Sequence, residues 1–207
     1  MPRFLIEAVK RRGEVGAIAA SGRYLAREMT SSIGMHQGAD RVLEVGAGMG
    51  AFTTKILERL PADGHADIVE LNPRFCEQLR RKIVGPWSQQ HADRSARVIE
   101  ASIEDADLAD NYNTIVCGLP FNTFPPAVAA RILEQLKGLL SPDGILAYFE
   151  YAGLPAIRCV VPGPWRSHAR MHRASLANLA QGMDARRQLV WRNILPAWAV
   201  KWHAQGV

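Results

Sequence analysis

From Arg41 onward the chain alternates short apolar runs with segments whose apolar residues recur every three or four positions, so strands and helices are expected in turn. Arg41–Val45 (RVLEV) predicts a first strand, Phe52–Leu60 a helix and Asp67–Leu71 (DIVEL) a second strand. Pro73–Ile83 predicts a helix entered through its proline, where a missing N–H costs little. Arg97–Glu100 and Thr114–Cys117 predict the third and fourth strands. Over Ala127–Leu140 the residues Val128, Ile132, Leu136 and Leu140 fall at helical spacing, and SPDG is expected to break that helix before a strand at Ile145–Phe149. Strands separated by helices imply an open, doubly wound α/β sheet, mostly parallel, with helices on both faces.

The two ends read differently. After a Pro- and Gly-rich loop at Leu154–Trp165, a helix is expected over Ser167–Met183 and two strands over Arg187–Ile194 and Ala197–His203, divided by Pro196. Strands joined by a short turn are antiparallel, so an antiparallel C-terminal pair should close the sheet. At the front, Phe4, Leu5, Ala8 and Val9 fall on one side of Pro2–Arg12, and Lys10, Arg11 and Arg12 cluster near the other. Such a segment suits an anionic membrane surface or a docking site on its own core, and the membrane reading is preferred. This gives two parts: residues 1–35, an amphipathic helical extension acting as a membrane and substrate lid, and residues 36–207, the α/β domain.

Composition narrows the picture. A chain of 207 residues, 48% of them apolar, suits a core that needs no covalent staple, and three cysteines without a CxxC pair suggest neither a disulfide framework nor a zinc site. His168 and His172 lack a third ligand, so no metal is expected. No signal sequence or membrane span is read, and a cytoplasmic monomer, peripherally associated with the inner membrane, is expected. Charge is divided along the chain: residues 1–41 carry seven Lys/Arg against four acids, residues 42–157 ten against fifteen, and residues 158–207 eight against Asp184 alone. Basic flanks around an acidic middle predict a polyanionic partner. Trp165, Trp191, Trp198 and Trp202 lie in that basic tail, where headgroup-depth anchoring and core packing are both open.

The chemistry centres on Arg41–Thr53 (RVLEVGAGMGAFT). Glu44, Gly46, Gly48 and Gly50 form E-x-G-x-G-x-G between a strand and a helix, at the edge where doubly wound sheets bind ligands. Glu70 ends the second strand, where an acid accepts both hydroxyls of a ribose. The spacing is not that of a dinucleotide fingerprint, and no phosphate-cradling G-K-[ST] is present. With Ile68–Pro73 (IVELNP), this segment resembles the first motifs of class I methyltransferases, which have a Rossmann-like fold and use S-adenosylmethionine, releasing S-adenosylhomocysteine. The resemblance implies that Glu44 and the backbone of Gly46, Ala47, Gly48 and Gly50 hold the methionine part, Glu70 the ribose and Leu71 one face of adenine. Ser102 and Ile103, within Ala101–Asp105 (ASIED), would sit by the adenine amine. Ser102 stands where many relatives carry Asp, with Glu104 the alternative.

Gly118–Asn122 (GLPFN) resembles the N-[LIP]-P-[FY] loop of methyltransferases acting on exocyclic amines, among them ribosomal RNA adenine dimethylases, except for Gly118 in place of Asn. The RNA enzymes also carry a C-terminal helical domain for which a chain of this length has no room. A resemblance over more of the chain joins Phe4–Met29, the glycine loop, GLPFN and RNILPAWAVKW to the bacterial phospholipid N-methyltransferases, which convert phosphatidylethanolamine stepwise to phosphatidylcholine. It implies that backbone oxygens of Gly118 and Leu119 hold the amine, with Tyr24 first, and Glu150 or Tyr148 behind it, as proton acceptor. Arg23 and Arg192 would bind the lipid phosphate, and Phe4, Leu5, Lys10, Arg11 and Arg12 the membrane. The expected partners are a phospholipid and an anionic membrane surface, with no nucleic acid; the rival reading is an RNA adenine N6-methyltransferase.

Overall fold

The computed structural model describes residues 22–36, 38–119, 121, 124–152, 176, 178–193 and 195–204. The elements are α1 (Arg23–Met29), β1 (Arg41–Val45), α2 (Ala51–Arg59), β2 (His65–Glu70), α3 (Pro73–Leu79), a π turn (Arg80–Val84), α4 (Gly85–Gln90), β3 (Ser95–Glu100), β4 (Tyr112–Cys117), α5 (Pro126–Gly138), β5 (Leu140–Tyr151), β6 (Met183–Val190) and β7 (Ala197–Ala204). The segment Phe4–Arg12 and most of the expected helix Ser167–Met183 lie outside the described residues.

One seven-stranded sheet runs β3-β2-β1-β4-β5-β7-β6. The pairs from β3 to β5 are parallel, and β7 is antiparallel to both β5 and β6. This is the Rossmann-like methyltransferase fold with its antiparallel C-terminal pair, as expected. Central strands buried on both faces read as continuous apolar runs: in β1 only Arg41 is part-exposed. On one face Phe52, Ile56 and Leu57 of α2, with Leu60 just after it, pack with Leu25, Ala26 and Met29 of α1. On the other, Ile132, Leu133 and Leu136 of α5 pack with Ile115, Leu146 and Trp202.

Three local expectations change. SPDG does not end before the strand; it lies inside β5, where Tyr112 of β4 faces Leu140 and Thr114 faces Ile145, so the extra residues form a bulge. Gly144 makes this possible, because a methyl group there would stand 2.8 Å from the Tyr112 carbonyl oxygen. The helix expected to stop at Ile83 continues to Gln90 through the π turn, whose wider winding accommodates Pro86, a residue with no N–H to donate. The expected strand Arg187–Ile194 is shifted to Met183–Val190, and residues from Trp191 onward form the turn to β7.

That turn holds α1 in place. Asn193, buried, accepts the Gly22 N–H at 2.6 Å through Oδ1 and donates from Nδ2 to the Leu195 carbonyl at 2.8 Å. Farther along, Lys201 donates to Glu28 Oε1 and Ser31 Oγ, both at 2.6 Å, and Arg59 donates to the Thr30 carbonyl at 2.7 Å. Helix α1 is too short to persist alone, so these bonds and its buried face hold it. Asn193→Ala removes the acceptor of Gly22 and the donor to Leu195, and should cost about 1–3 kcal/mol in denaturant unfolding, the range for stranded polar groups. An unchanged midpoint would show that Asn193 does not hold α1.

Candidate functional site

The turns after β1, β2, β3 and β4 all leave the carboxyl edge of the sheet, and they carry Gly46–Gly50, Glu70–Leu71, Ser102–Glu104 and Gly118–Leu119. Since β6 and β5 are each antiparallel to β7, they run in the same direction, and Trp191–Asn193 emerges at that edge too. The sheet therefore gathers the expected binding residues at one end.

Glycines 46, 48 and 50 have φ of 74°, 56° and 89°, a left-handed path that side chains resist. The Gly46 N–H donates to the Val69 carbonyl at 2.9 Å, and the Gly48 N–H to Glu70 Oε2 at 2.7 Å. Glu70 Oε1 accepts the Asn72 N–H at 2.8 Å. Each carboxylate oxygen has a second lone pair, so Glu70 is held from the backbone side and can still accept two hydroxyls. Leu71 follows it, half-buried.

Glu44 is fully buried and its Oε2 accepts from Thr53 Oγ1 at 2.6 Å, while Oε1 has no hydrogen-bond partner among the described residues. Desolvation, reinforced by the charge of Glu70, pushes its carboxyl up to about 8 against the opposing Thr53 bond. A buried acceptor with an orphaned oxygen calls for a donor or cation from outside the protein, so these residues fit the cationic methionine part of S-adenosylmethionine. Thr53, not singled out from sequence beyond its place in the motif, supplies the side-chain hydrogen bond that Glu44 accepts.

Ser102 and Ile103 are buried; the Ser102 Oγ donates to Asp105 Oδ2 at 2.6 Å, and the Ile103 carbonyl accepts from Gln135 Nε2 at 2.8 Å. Glu104 pairs with Arg131 of α5 at 2.5 Å. Of the three polar side chains in this turn, Asp105 lies beside Ser102 while Glu104 is occupied by α5.

Gly118 donates its N–H to the Val45 carbonyl at 2.8 Å, and a methyl group at position 118 would lie 2.5 Å from the Gly46 carbonyl oxygen. The glycine that departs from the amine-methylating motif is thus imposed by contact with the glycine loop. Leu119 leans onto the same loop, its Cδ2 2.7 Å from where a Gly46 methyl would be. Pro120 and Asn122 of this motif lie outside the described residues.

Tyr24, Arg23 and Arg192, chosen from separate ends of the chain, come together. The Arg23 guanidinium donates to the Tyr24 hydroxyl at 3.0 Å, and the Arg23 and Arg192 guanidinium carbons stand 4.9 and 5.1 Å from its ring centre. The Arg23 bond, then the charge of Arg192, lowers the phenol below its ordinary value. Among the described residues neither arginine has a carboxylate partner. Glu150 pairs with Arg187 at 3.0 Å. Tyr148 is buried against Phe121 and Trp202, its ring centre 5.5 and 5.3 Å from theirs, and burial raises its phenol. No group of His, Cys, Asp and Glu among the described residues is arranged to hold a metal ion.

Comparison with known proteins agrees with this geometry. Residues 42–144 match the methyltransferase domain family. An ornithine lipid N-methyltransferase of Singulisphaera acidiphila is 27% identical over 141 residues, 68% of this chain and 72% of that protein. The ribosomal RNA small subunit methyltransferase A of Gloeobacter violaceus is 31% identical over 102 residues, 49% of this chain but 32% of that enzyme. The O-methyltransferase from Bacillus cereus in complex with S-adenosylhomocysteine superposes with a TM-score of 0.66 at 12% identity, covering 98% of this chain and 91% of that one. The chain carries a class I S-adenosylmethionine-dependent methyltransferase domain, and S-adenosylmethionine is its cofactor.

The sign of the Glu44 effect is testable. Its folded value lies above its ordinary 4.5, so in the cofactor-free protein it costs nothing below pH 4.5, and stability falls by up to about 1.4 kcal/mol per pH unit as pH rises to about 8. The melting temperature of Glu44→Gln relative to wild type should therefore climb between pH 5 and 8, while its S-adenosylmethionine affinity falls at least about tenfold for the lost hydrogen bond to charge. A pH-independent difference would rule out a neutral buried Glu44.

Proposed function

We propose that this methyltransferase transfers methyl groups to the amine of a membrane lipid, phosphatidylethanolamine and its mono- and dimethyl derivatives, towards phosphatidylcholine. The observation that carries the reading is the Tyr24–Arg23–Arg192 cluster: a phenol with two guanidiniums over its ring, neither with a carboxylate partner among the described residues. An ethanolamine headgroup carries an anionic phosphate two carbons from an ammonium. Arginine suits the first, with donors spaced for two phosphate oxygens. The second must lose a proton before nitrogen can form a bond, and this reading assigns its acceptance to Tyr24, whose phenol the same arginines lower.

When bound, S-adenosylmethionine supplies a methyl on a sulfonium that departs as a neutral thioether, with no acid required. The protein's task is positioning. The carbonyls of Gly118 and Leu119 orient the amine by accepting its N–H groups, on a loop pinned to β1 by the Gly118–Val45 bond. The proton released at nitrogen passes to Tyr24 or through water. Glu44 and Glu70 hold the cofactor on the other side of the loop.

The RNA adenine reading is supported by the similarity to ribosomal RNA small subunit methyltransferases A, of which the chain spans about a third. Gly118 weighs against it, because the Asn side chain found there in the RNA enzymes has no room beside the Gly46 carbonyl.

Incubation with labelled S-adenosylmethionine should place label in vesicle phosphatidylethanolamine and none in structured RNA; label in RNA alone sinks the lipid reading. Arg192→Gln should raise the lipid KM about tenfold, a 1.4 kcal/mol loss of the kind a charged hydrogen bond makes, with cofactor affinity unchanged. Tyr24→Phe should lower kcat about a hundredfold at pH 7, the lower end for general-base catalysis, and recover as pH rises and the amine loses its own proton. A flat kcat in Tyr24→Phe would remove Tyr24 from proton transfer.

A further inference from the structure

Four large apolar side chains stand exposed among the described residues: Met35 at 74%, Trp191 at 71%, Met49 at 54% and Leu195 at 44%. Three share one end of the molecule. Met49 is in the glycine loop after β1, and Trp191 and Leu195 are in the β6–β7 turn, all beyond the carboxyl edge of the sheet. Met35 precedes the amino end of β1 and belongs elsewhere.

An indole exposed to this extent is unusual. Asn193 fixes the turn from within through Gly22 and Leu195, so Trp191 and Leu195 are presented outward from a braced backbone. Between and beside them stand Arg192 and Arg23, both exposed and without carboxylate partners among the described residues. Trp198, by contrast, lies part-buried under Arg187, whose guanidinium carbon is 5.1 Å from its ring centre, and Trp202 is buried in the core. The tail's tryptophans thus divide: those on β7 serve packing, and Trp191 serves no packing that the structure shows.

Apolar tip, flanking arginines and braced backbone form a combination suited to a lipid–water interface. An indole settles at headgroup depth, an aliphatic side chain goes slightly deeper, and guanidiniums meet phosphates. We infer that the β6–β7 turn, Trp191 to Leu195, seats this domain on an anionic bilayer and turns the carboxyl edge of the sheet toward it. This rests on the lipid reading of the site and adds an orientation: the lipid headgroup reaches Tyr24 and Gly118 from the side on which Trp191 enters the membrane. It is separate from any contact made by Phe4–Arg12.

The test uses the full chain and vesicles of phosphatidylglycerol, which carry no amine to methylate, so the outcome does not depend on the methyl acceptor. Wild type should float with these vesicles, and Trp191→Ser combined with Leu195→Ser should weaken binding at least fivefold. Melting temperature and S-adenosylhomocysteine affinity should be unchanged, since both positions are at the surface. Phosphatidylglycerol brominated near the headgroup should quench part of the tryptophan emission of wild type, and that part should vanish in Trp191→Phe. Equal binding by variant and wild type, no vesicle binding by wild type, or quenching that survives Trp191→Phe would each overturn the proposal. Vesicle binding that depends on Trp191, with no label entering phosphatidylethanolamine, would leave the seat standing and defeat the substrate reading.

Discussion

The backbone of Gly118 meets the backbone of Gly46 with no space for a side chain between them. This contact depends on the parallel register that sets Val45 of β1 opposite Cys117 of β4, and it is sealed by the Gly118 N–H on the Val45 carbonyl. Two loops that leave adjacent strands are therefore locked at van der Waals distance. On the proposed reading one holds the methyl donor and the other the acceptor, and their separation is set by the sheet and not by a flexible side chain. In a displacement whose donor is already activated, that separation accounts for much of the barrier.

Electrostatics follows from the same crowding. Burying Glu44 at the end of β1, near a second carboxylate that the Gly48 and Asn72 amides hold in place, leaves it without its full complement of hydrogen bonds. Burial favours the neutral acid in the empty site, and a cationic ligand beside the orphaned oxygen would favour the carboxylate. A leucine at position 44 would give a more stable empty fold and a poorer receptor.

The central sheet was legible because its strands are buried on both faces and so appear as unbroken apolar runs in the chain. The glycine loop was legible because left-handed backbone has almost no other residue to use. SPDG misled because turn-forming residues also serve a bulge, and only the neighbouring Tyr112 carbonyl distinguishes the two. The continuation beyond Ile83 was hidden for a related reason: Gly85 and Pro86 read as an end, yet a π turn carries the helix past them. Asn193 stood inside the RNILPAW segment, but its bracing role left no signal in the chain, since its partner lies 171 positions away and is a backbone N–H. Thr53 could have been found, as a hydroxyl one helical turn past a glycine loop and next to a motif acid.

The bond from Asn193 to Gly22 explains why two distant motifs behave as one. Arg192 and Arg23 are exposed, and exposed arginines are ordinarily mobile and contribute little. Each here is the direct neighbour of a residue bound to, or bracketed by, that bond, and both extend along the ring of Tyr24. Two cations held close in this way repel one another, and three things reduce the cost: solvent exposure, the ring both lie over and the partial negative charge of the phenol oxygen. An incoming phosphate would reduce it further, and would also withdraw positive charge from the phenol. A bound phosphate would thus oppose the lowering that the two arginines exert on the phenol.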